Sequence, residues 1–308
     1  MTTAATPPSP AAVEAFGDRL LQIVNHGAVG IGLSVGHRTG LFDHMAGRPA
    51  ETSAEIAAGA GLDERYVREW LGAMVTARIV GYDPATEGYR LPVEHAALLT
   101  RAASPNNVAV TAQWLAVLAG VENEIVGCFR EGGGVPYESF GRFHEVMAEE
   151  SAQTVVSALF DHILPLASGL VQRLRDGIDV LDVGCGRGRA ILAMASEYPN
   201  SRFRGYDLSV EAVQAAQAEA SEMGLRNVSF ATADAARIRD AAEFDLVTAF
   251  DIVHDPAEPD TVLANLHRAL RPDGLLLMQD ISTHTPLHAN LDHPLGPFLY
   301  TISYTHCM

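Results

Sequence analysis

From residue 178 onward the apolar positions fall into a repeated pattern. A short β-branched run is followed each time by helical spacing. Ile178, Val180, Leu181 and Val183 form the first run, which reads as a buried parallel strand. Ala190 to Glu197 follows with helical spacing. Arg202 to Asp207 reads as a second strand, and Val210 to Met223 as a long helix capped by Ser209. Val228 to Thr232, Phe244 to Asp251 and Leu275 to Asp280 supply three more strands. A helix at Pro259 to Leu270 and the turn Arg271-Pro-Asp-Gly274 separate the last two. Strands alternating with helices predict an α/β fold, a doubly wound sheet over residues 171–308.

The first half of the chain has a different rhythm. Residues 1–10 are polar and proline-rich, which predicts a disordered tail. Helical spacing dominates from Ala11 to Met45, with Phe16, Leu20, Ile23 and Val24 on one face. Several glycines between Gly27 and Gly36 allow close helix packing, and in a dimer this segment could meet its twin. Thr52 and Glu55 form a capping box, Asp63 caps a helix running from Glu64 to Arg78, and Val67, Leu71, Met74 and Val75 point inward. Ile79 to Tyr82 and Gly88 to Leu91 pair around Asp83-Pro84, completing a winged helix-turn-helix within an all-α domain at 11–100. Residues 101–170 read as linker helices or a substrate lid. Their aromatics, Trp114, Phe129, Tyr137, Phe140 and Phe143, with His144 and Met147, are either core or roof.

The turn after the first strand carries the candidate chemistry. Gly184, Gly186 and Gly188 let a ligand touch bare backbone at the carboxyl end of a strand, where open α/β sheets bind their ligands. A dinucleotide site has the spacing G-x-G-x-x-G, but Arg189 stands in the last slot. Asp182, two residues before the turn, suits a cationic ligand and would repel a pyrophosphate. Asp207 lies 21 residues beyond Gly186, the distance expected of an acid that takes ribose hydroxyls. Asp207 and Asp234 could equally be plain helix caps.

The stretch Val180-Leu-Asp-Val-Gly-Cys-Gly-Arg-Gly188 resembles motif I of the class I S-adenosylmethionine (SAM) methyltransferases, whose sheet is Rossmann-like. The R-P-x-G-x-L turn at 271–276 resembles that family too, and a preceding winged helix resembles its small-molecule O-methyltransferases, including bacterial ones. The resemblance implies SAM as cofactor, S-adenosyl-L-homocysteine as product and a homodimer formed through the amino-terminal domain. It implies a cofactor site at Asp182, Gly184, Cys185, Gly186, Gly188, Asp207, Leu208, Asp234, Ala235, Phe250 and Asp251. Phe250-Asp-Ile-Val-His-Asp255 resembles the I-x-H-D segment whose histidine is the general base. His254 is therefore the candidate base, with Asp255 or Asp251 positioning it or closing the site, unless His254 merely packs at the strand end. Pro256 stands where the family has tryptophan. The family sheet has seven strands, and no residues remain here for the last two, so the chain is expected to be a fragment.

Composition narrows the function classes. The net charge is −17, and all 21 basic residues are arginine. Between residues 51 and 95 four arginines face eight acids, a net of −4, which opposes a nucleic-acid footprint. Cys128, Cys185 and Cys307 are far apart, which fits a reducing cytoplasm, and no apolar run is long enough for a membrane span. His284, His288 and His293 with Asp292 invite a metal, but Pro286 spoils the helix that an i, i+4 pair needs; no metal is expected. The expected activity is methyl transfer to a small-molecule acceptor at a hydroxyl oxygen. The alternatives are a SAM-responsive winged-helix transcription regulator and a nucleotide-dependent oxidoreductase.

Overall fold

The computed structural model describes residues 8–308, so the expected disordered tail lies outside the described residues as far as residue 7. Two compact units divide between Ala116 and Val117.

In the first unit a 30-residue helix, Pro10–Thr39, opens on a proline and closes on Gly40 in the left-handed conformation. Much of its glycine-rich part packs inside its own unit. A methyl group on Gly36 would sit 2.5 Å from Phe42 and 2.6 Å from Trp70, and Trp70 Nε1 donates to the Gly32 carbonyl at 2.8 Å. The apolar stripe ahead of it stays exposed, Phe16 at 60% and Val24 at 68%. Thr52 and Glu55 close their capping box before the helix Ser53–Ala60, and Asp63 caps Glu64–Thr76. Val67, Trp70, Leu71 and Met74 are buried against Phe42 and Ile56. Strands β1 (Gly81–Asp83) and β2 (Gly88–Arg90) pair antiparallel as the wing.

The second unit holds five parallel strands among the described residues: β3 (Asp179–Val183), β4 (Arg202–Asp207), β5 (Val228–Thr232), β6 (Phe244–Phe250) and β7 (Leu270–Gln279). Their order is β5-β4-β3-β6-β7. The chain steps outward from β3 in both directions, so the crevice for a ligand opens at the carboxyl end of β3. Helices Arg189–Glu197 and Val210–Glu222 contribute Ile191, Met194, Val213 and Ala216 to a core with Val180, Phe203 and Leu246, while Val262 and Leu266 cover the other face with Leu181 and Val247. Arg271-Pro-Asp-Gly274 is a bulge within β7 rather than a turn before it: Phe244 pairs with Leu270 and Leu246 with Leu275. The bulge aims Arg271 at Asp179, 2.9 Å away, and at Asp245, tying the amino ends of β3, β6 and β7 together.

Helical segments separated by short irregular stretches run through 122–176, with two stretches of wider π-type turns at Ala152–Val156 and Leu159–Ile163. After β7 come a short 3-10 turn, Leu287–Asn290, and a helix, Gly296–Thr305. No single helix among the described residues is long and apolar enough to cross a membrane. One pair bent by 105°, Phe143–Leu166 with Leu170–Asp176, passes on length and composition. Its Val155, Leu159, Leu164, Leu170 and Leu174 are core residues of this unit.

Candidate active site

The carboxyl end of β3 runs into a turn that a side chain would block. Gly184 has φ +67, and a Cβ there would lie 2.3 Å from Ile252. At Gly186 a Cβ would meet nothing within 4 Å, so that stretch of backbone is open to a ligand. Asp207, at the tip of β4, takes the Gly186 N–H on Oδ2 at 2.7 Å and the Ser209 N–H on Oδ1 at 2.8 Å. Each carboxylate oxygen accepts more than one hydrogen bond, so capacity for ligand hydroxyls remains.

Asp182 lies beneath the turn, 3% exposed, and accepts from Thr248 Oγ1 at 2.6 Å. Burial pushes its carboxyl up to about 7, and the charge on Asp207 adds to the shift. Two carboxylates in mutual repulsion make this corner a place for positive charge. Cys185 is packed under β4, where a Cβ on Gly205 would meet its Sγ at 2.9 Å, and burial raises its thiol pKa strongly. It contributes its backbone to the turn, donating to the Tyr206 carbonyl at 3.0 Å.

Asp182, Gly184, Cys185, Gly186, Phe250 and Asp251 line one cleft, together with His144, Met147 and Ser151 from the helical segment before β3. Asp251 adopts φ +54 and takes Gln279 Nε2 at 3.2 Å; burial raises its carboxyl pKa. Gly188 begins the helix Arg189–Glu197 behind the turn. Asp234, Ala235 and Leu208 are not among the residues that line this cleft. Asp234 is taken up by its own turn, accepting from Ala236 N at 2.9 Å and pairing with Arg237 at 3.3 Å. Ala235 packs against the Val247 face of the sheet, its carbonyl accepting from Asn265 at 3.0 Å, and Leu208 is exposed.

The segment after β6 brings His254 to the same edge. Its Nδ1 is 2.5 Å from Asp280 Oδ1, and its Nε2 is 3.2 Å from Asp255 Oδ1. Tyr137 donates to Asp255 Oδ2 at 3.4 Å, and burial beside Asp255 drives its phenol pKa upward. Around them stand Phe140, Phe143, His144 and His306, with His306 lying 4.1 Å from the Phe143 ring. Phe129 is exposed and contacts Tyr304 at the ring edge.

Sequence reasoning missed Asp280, Thr248, His306 and Cys307. Asp280 was findable: strands β3, β4 and β6 each run into an acid at the carboxyl end, and β7 runs into Asp280. His284, His288, His293 and Asp292 do not form a donor cluster among the described residues. Among the described residues, His254, Asp255 and Cys307 do.

Two family models match the chain, one described as an Rv2258c-like winged HTH domain over residues 27–101 and one as a methyltransferase domain over residues 174–294. Nocamycin O-methyltransferase of Saccharothrix syringae is 40% identical over 102 residues, 32% of this chain and 36% of that protein. (S)-Coclaurine N-methyltransferase of Papaver somniferum is 27% identical over 113 residues, 37% of this chain and 32% of that protein. The chain thus spans about a third of the length of these two curated relatives. Over nearly the whole chain the fold is like that of human N-acetylserotonin methyltransferase, solved in complex with SAM. That likeness has a TM-score of 0.67, with 18% identity, covering 99% of this chain and 88% of that one.

Proposed function

We propose that this chain, which has the domain pair and fold of the class I SAM methyltransferases with an amino-terminal winged helix, transfers a methyl group from SAM to a hydroxyl oxygen of a small molecule. One observation carries the reading. The open glycine turn and the His254–Asp280 pair are both at the carboxyl ends of the parallel strands, so a cofactor site and a base share one sheet edge.

The residues present fit such a cofactor. The Gly184–Gly188 backbone and Asp207 would hold its nucleoside, and the Asp182 corner would take its positive charge. Bound SAM supplies an electrophilic methyl on a sulfonium. The protein's task is to align an acceptor oxygen with it and exclude water. His254 Nδ1, held by Asp280, carries a proton, which leaves the Nε2 lone pair to take the acceptor's hydroxyl proton. A phenol has a pKa of about 10, so a base helps at neutral pH. Phe140, Phe143 and Tyr137 form an aromatic cluster that reaches Asp255 through the Tyr137 hydroxyl.

We further propose a homodimer formed through the exposed stripe of the amino-terminal helix, and a cytoplasmic location, in keeping with three free cysteines. The regulator reading gains nothing from a winged helix with a net charge of −4 over residues 51–95. Isothermal titration with SAM tests the central claim. Binding with one site per chain is the expected result, and its absence would remove the proposal.

A further inference from the structure

We infer that His254, Asp255 and Cys307 form a site for a divalent cation of the zinc class, with His306 beside it. The donor atoms of the first three lie within 4.8 Å of one another. His254 Nδ1 is committed to Asp280, so its Nε2 presents a lone pair toward Asp255 Oδ1, 3.2 Å away. Two acceptors then face each other, and positive charge must come between or beside them.

A second ring proton on His254 would satisfy that pair and nothing else. The surroundings ask for more. Asp255 Oδ1 is buried and accepts no hydrogen bond from any described residue, and neither ring nitrogen of His306 has a hydrogen-bond partner among them. The His306 side chain is 5% exposed, and its Nε2 stands 4.0 Å from Asp255 Oδ2. Buried polar atoms are nearly always satisfied. A cation bound to Asp255 would satisfy the carboxylate, beside which His306 stands.

The donor chemistry selects the ion. Imidazole nitrogen, carboxylate oxygen and thiolate sulfur are zinc ligands, at about 2.0–2.3 Å. Tetrahedral placement sets such donors roughly 3.3–3.8 Å apart, so the set closes by about 1 Å on loading. The carboxylate–histidine–metal relay that orients metal-binding histidines is already present as Asp280–His254. The Cys307 thiol, which burial beside Asp255 pushes up to about 12, gives its proton to solvent as the Sγ–metal bond forms. The ion would occupy Nε2, the nitrogen assigned as base, so a loaded chain is silent in methyl transfer.

The test needs no cofactor, so its outcome is separate from that of the methyl-transfer reading. The full chain is stripped with chelator and titrated with Co²⁺, then with Zn²⁺. One Co²⁺ per chain is expected, with a thiolate-to-cobalt charge-transfer band that Zn²⁺ abolishes. Cys307→Ser should lose the band, and Asp255→Asn should weaken Zn²⁺ binding at least tenfold. His288→Ala, in the other histidine cluster, should bind as the parent does. Circular dichroism melts establish that each variant is folded. If the parent protein binds no stoichiometric ion, or if binding survives unchanged in both Cys307→Ser and Asp255→Asn, the site does not exist.

Discussion

His254 and Asp280 are joined across the edge of the sheet: Nδ1 of the one lies 2.5 Å from Oδ1 of the other, although 26 residues separate them. The contact links the segment after β6 to the tip of β7, and it leaves Nε2, 3.2 Å from Asp255 Oδ1, as the ring nitrogen that Asp280 does not hold. The tautomer matters more than proximity, because a base with its proton on the wrong nitrogen cannot accept another there.

Replacing His254 by Gln should therefore leave SAM affinity within about twofold and lower kcat by about 10²–10⁴-fold, the usual range for a lost general base. Asp280→Asn should give a smaller loss, on the order of tenfold or more, with KM for the acceptor little changed. Steady-state rates with titration of SAM check both. Unchanged kcat in His254→Gln would remove the base assignment.

Asp207 predicts a different phenotype. It supports the Gly186 N–H and the Ser209 N–H, so Asp207→Ala leaves two donors of the cofactor turn without their partner. Each lost hydrogen bond of this charged kind is worth about 1.5–3 kcal/mol, and the ligand hydroxyls lose their acceptor as well. SAM binding should fall below detection in a calorimeter, while the His254→Gln protein still binds. Wild-type affinity in Asp207→Ala would detach the glycine turn from the cofactor.

The Asp182 carboxyl makes the cofactor-free protein sensitive to pH. Its pKa is about 7 when folded, against about 3.9 in an unfolded chain. Between those values the folded form holds a proton that the unfolded form has released. Stability conferred through this group therefore falls as pH rises from about 4 to about 7 and is level above. Asp182→Asn should flatten that slope, so the difference in Tm between pH 5 and pH 8 is smaller than in the parent. SAM affinity of the parent should tighten over the same interval, because the cation prefers the ionised acid. Equal slopes in parent and variant would mean that Asp182 is ionised throughout.

The parts of this molecule readable from sequence are those set by local rules. The capping box at Thr52 and Glu55, the cap at Ser209 and the strands Arg202–Asp207 and Val228–Thr232 all appear at the expected residues, because each depends on near neighbours. Asp207 was legible from its spacing to Gly186. The Asp280 contact was not, since it joins two strand tips that only the sheet order brings together. The glycines of the amino-terminal helix were legible as close-packing residues, but their partners, Phe42, Trp70 and Met74, were not. The Arg271 bulge was hidden for the same reason: its role is set by Asp179 and Asp245, on two other strands.

The amino-terminal helix supplies the last prediction. Phe16, Leu20, Ile23 and Val24 recur at helical spacing on the helix Pro10–Thr39, and all four are exposed, at 60, 46, 54 and 68%. A helix normally turns such a stripe toward a core. Here the same helix begins to be buried in its own unit only from Gly30 onward, so the stripe has apolar area left for a second copy. Association of like surfaces about a two-fold axis would bury it on both chains at once. The pair Phe16→Glu and Leu20→Glu places charge on that face without touching the residues that line the cofactor cleft. Light scattering coupled to gel filtration should report a dimer for the parent and a monomer for the double variant, with SAM affinity per chain unchanged. A parent that elutes as a monomer at micromolar concentration, or a double variant that remains a dimer, would rule out this stripe as the interface.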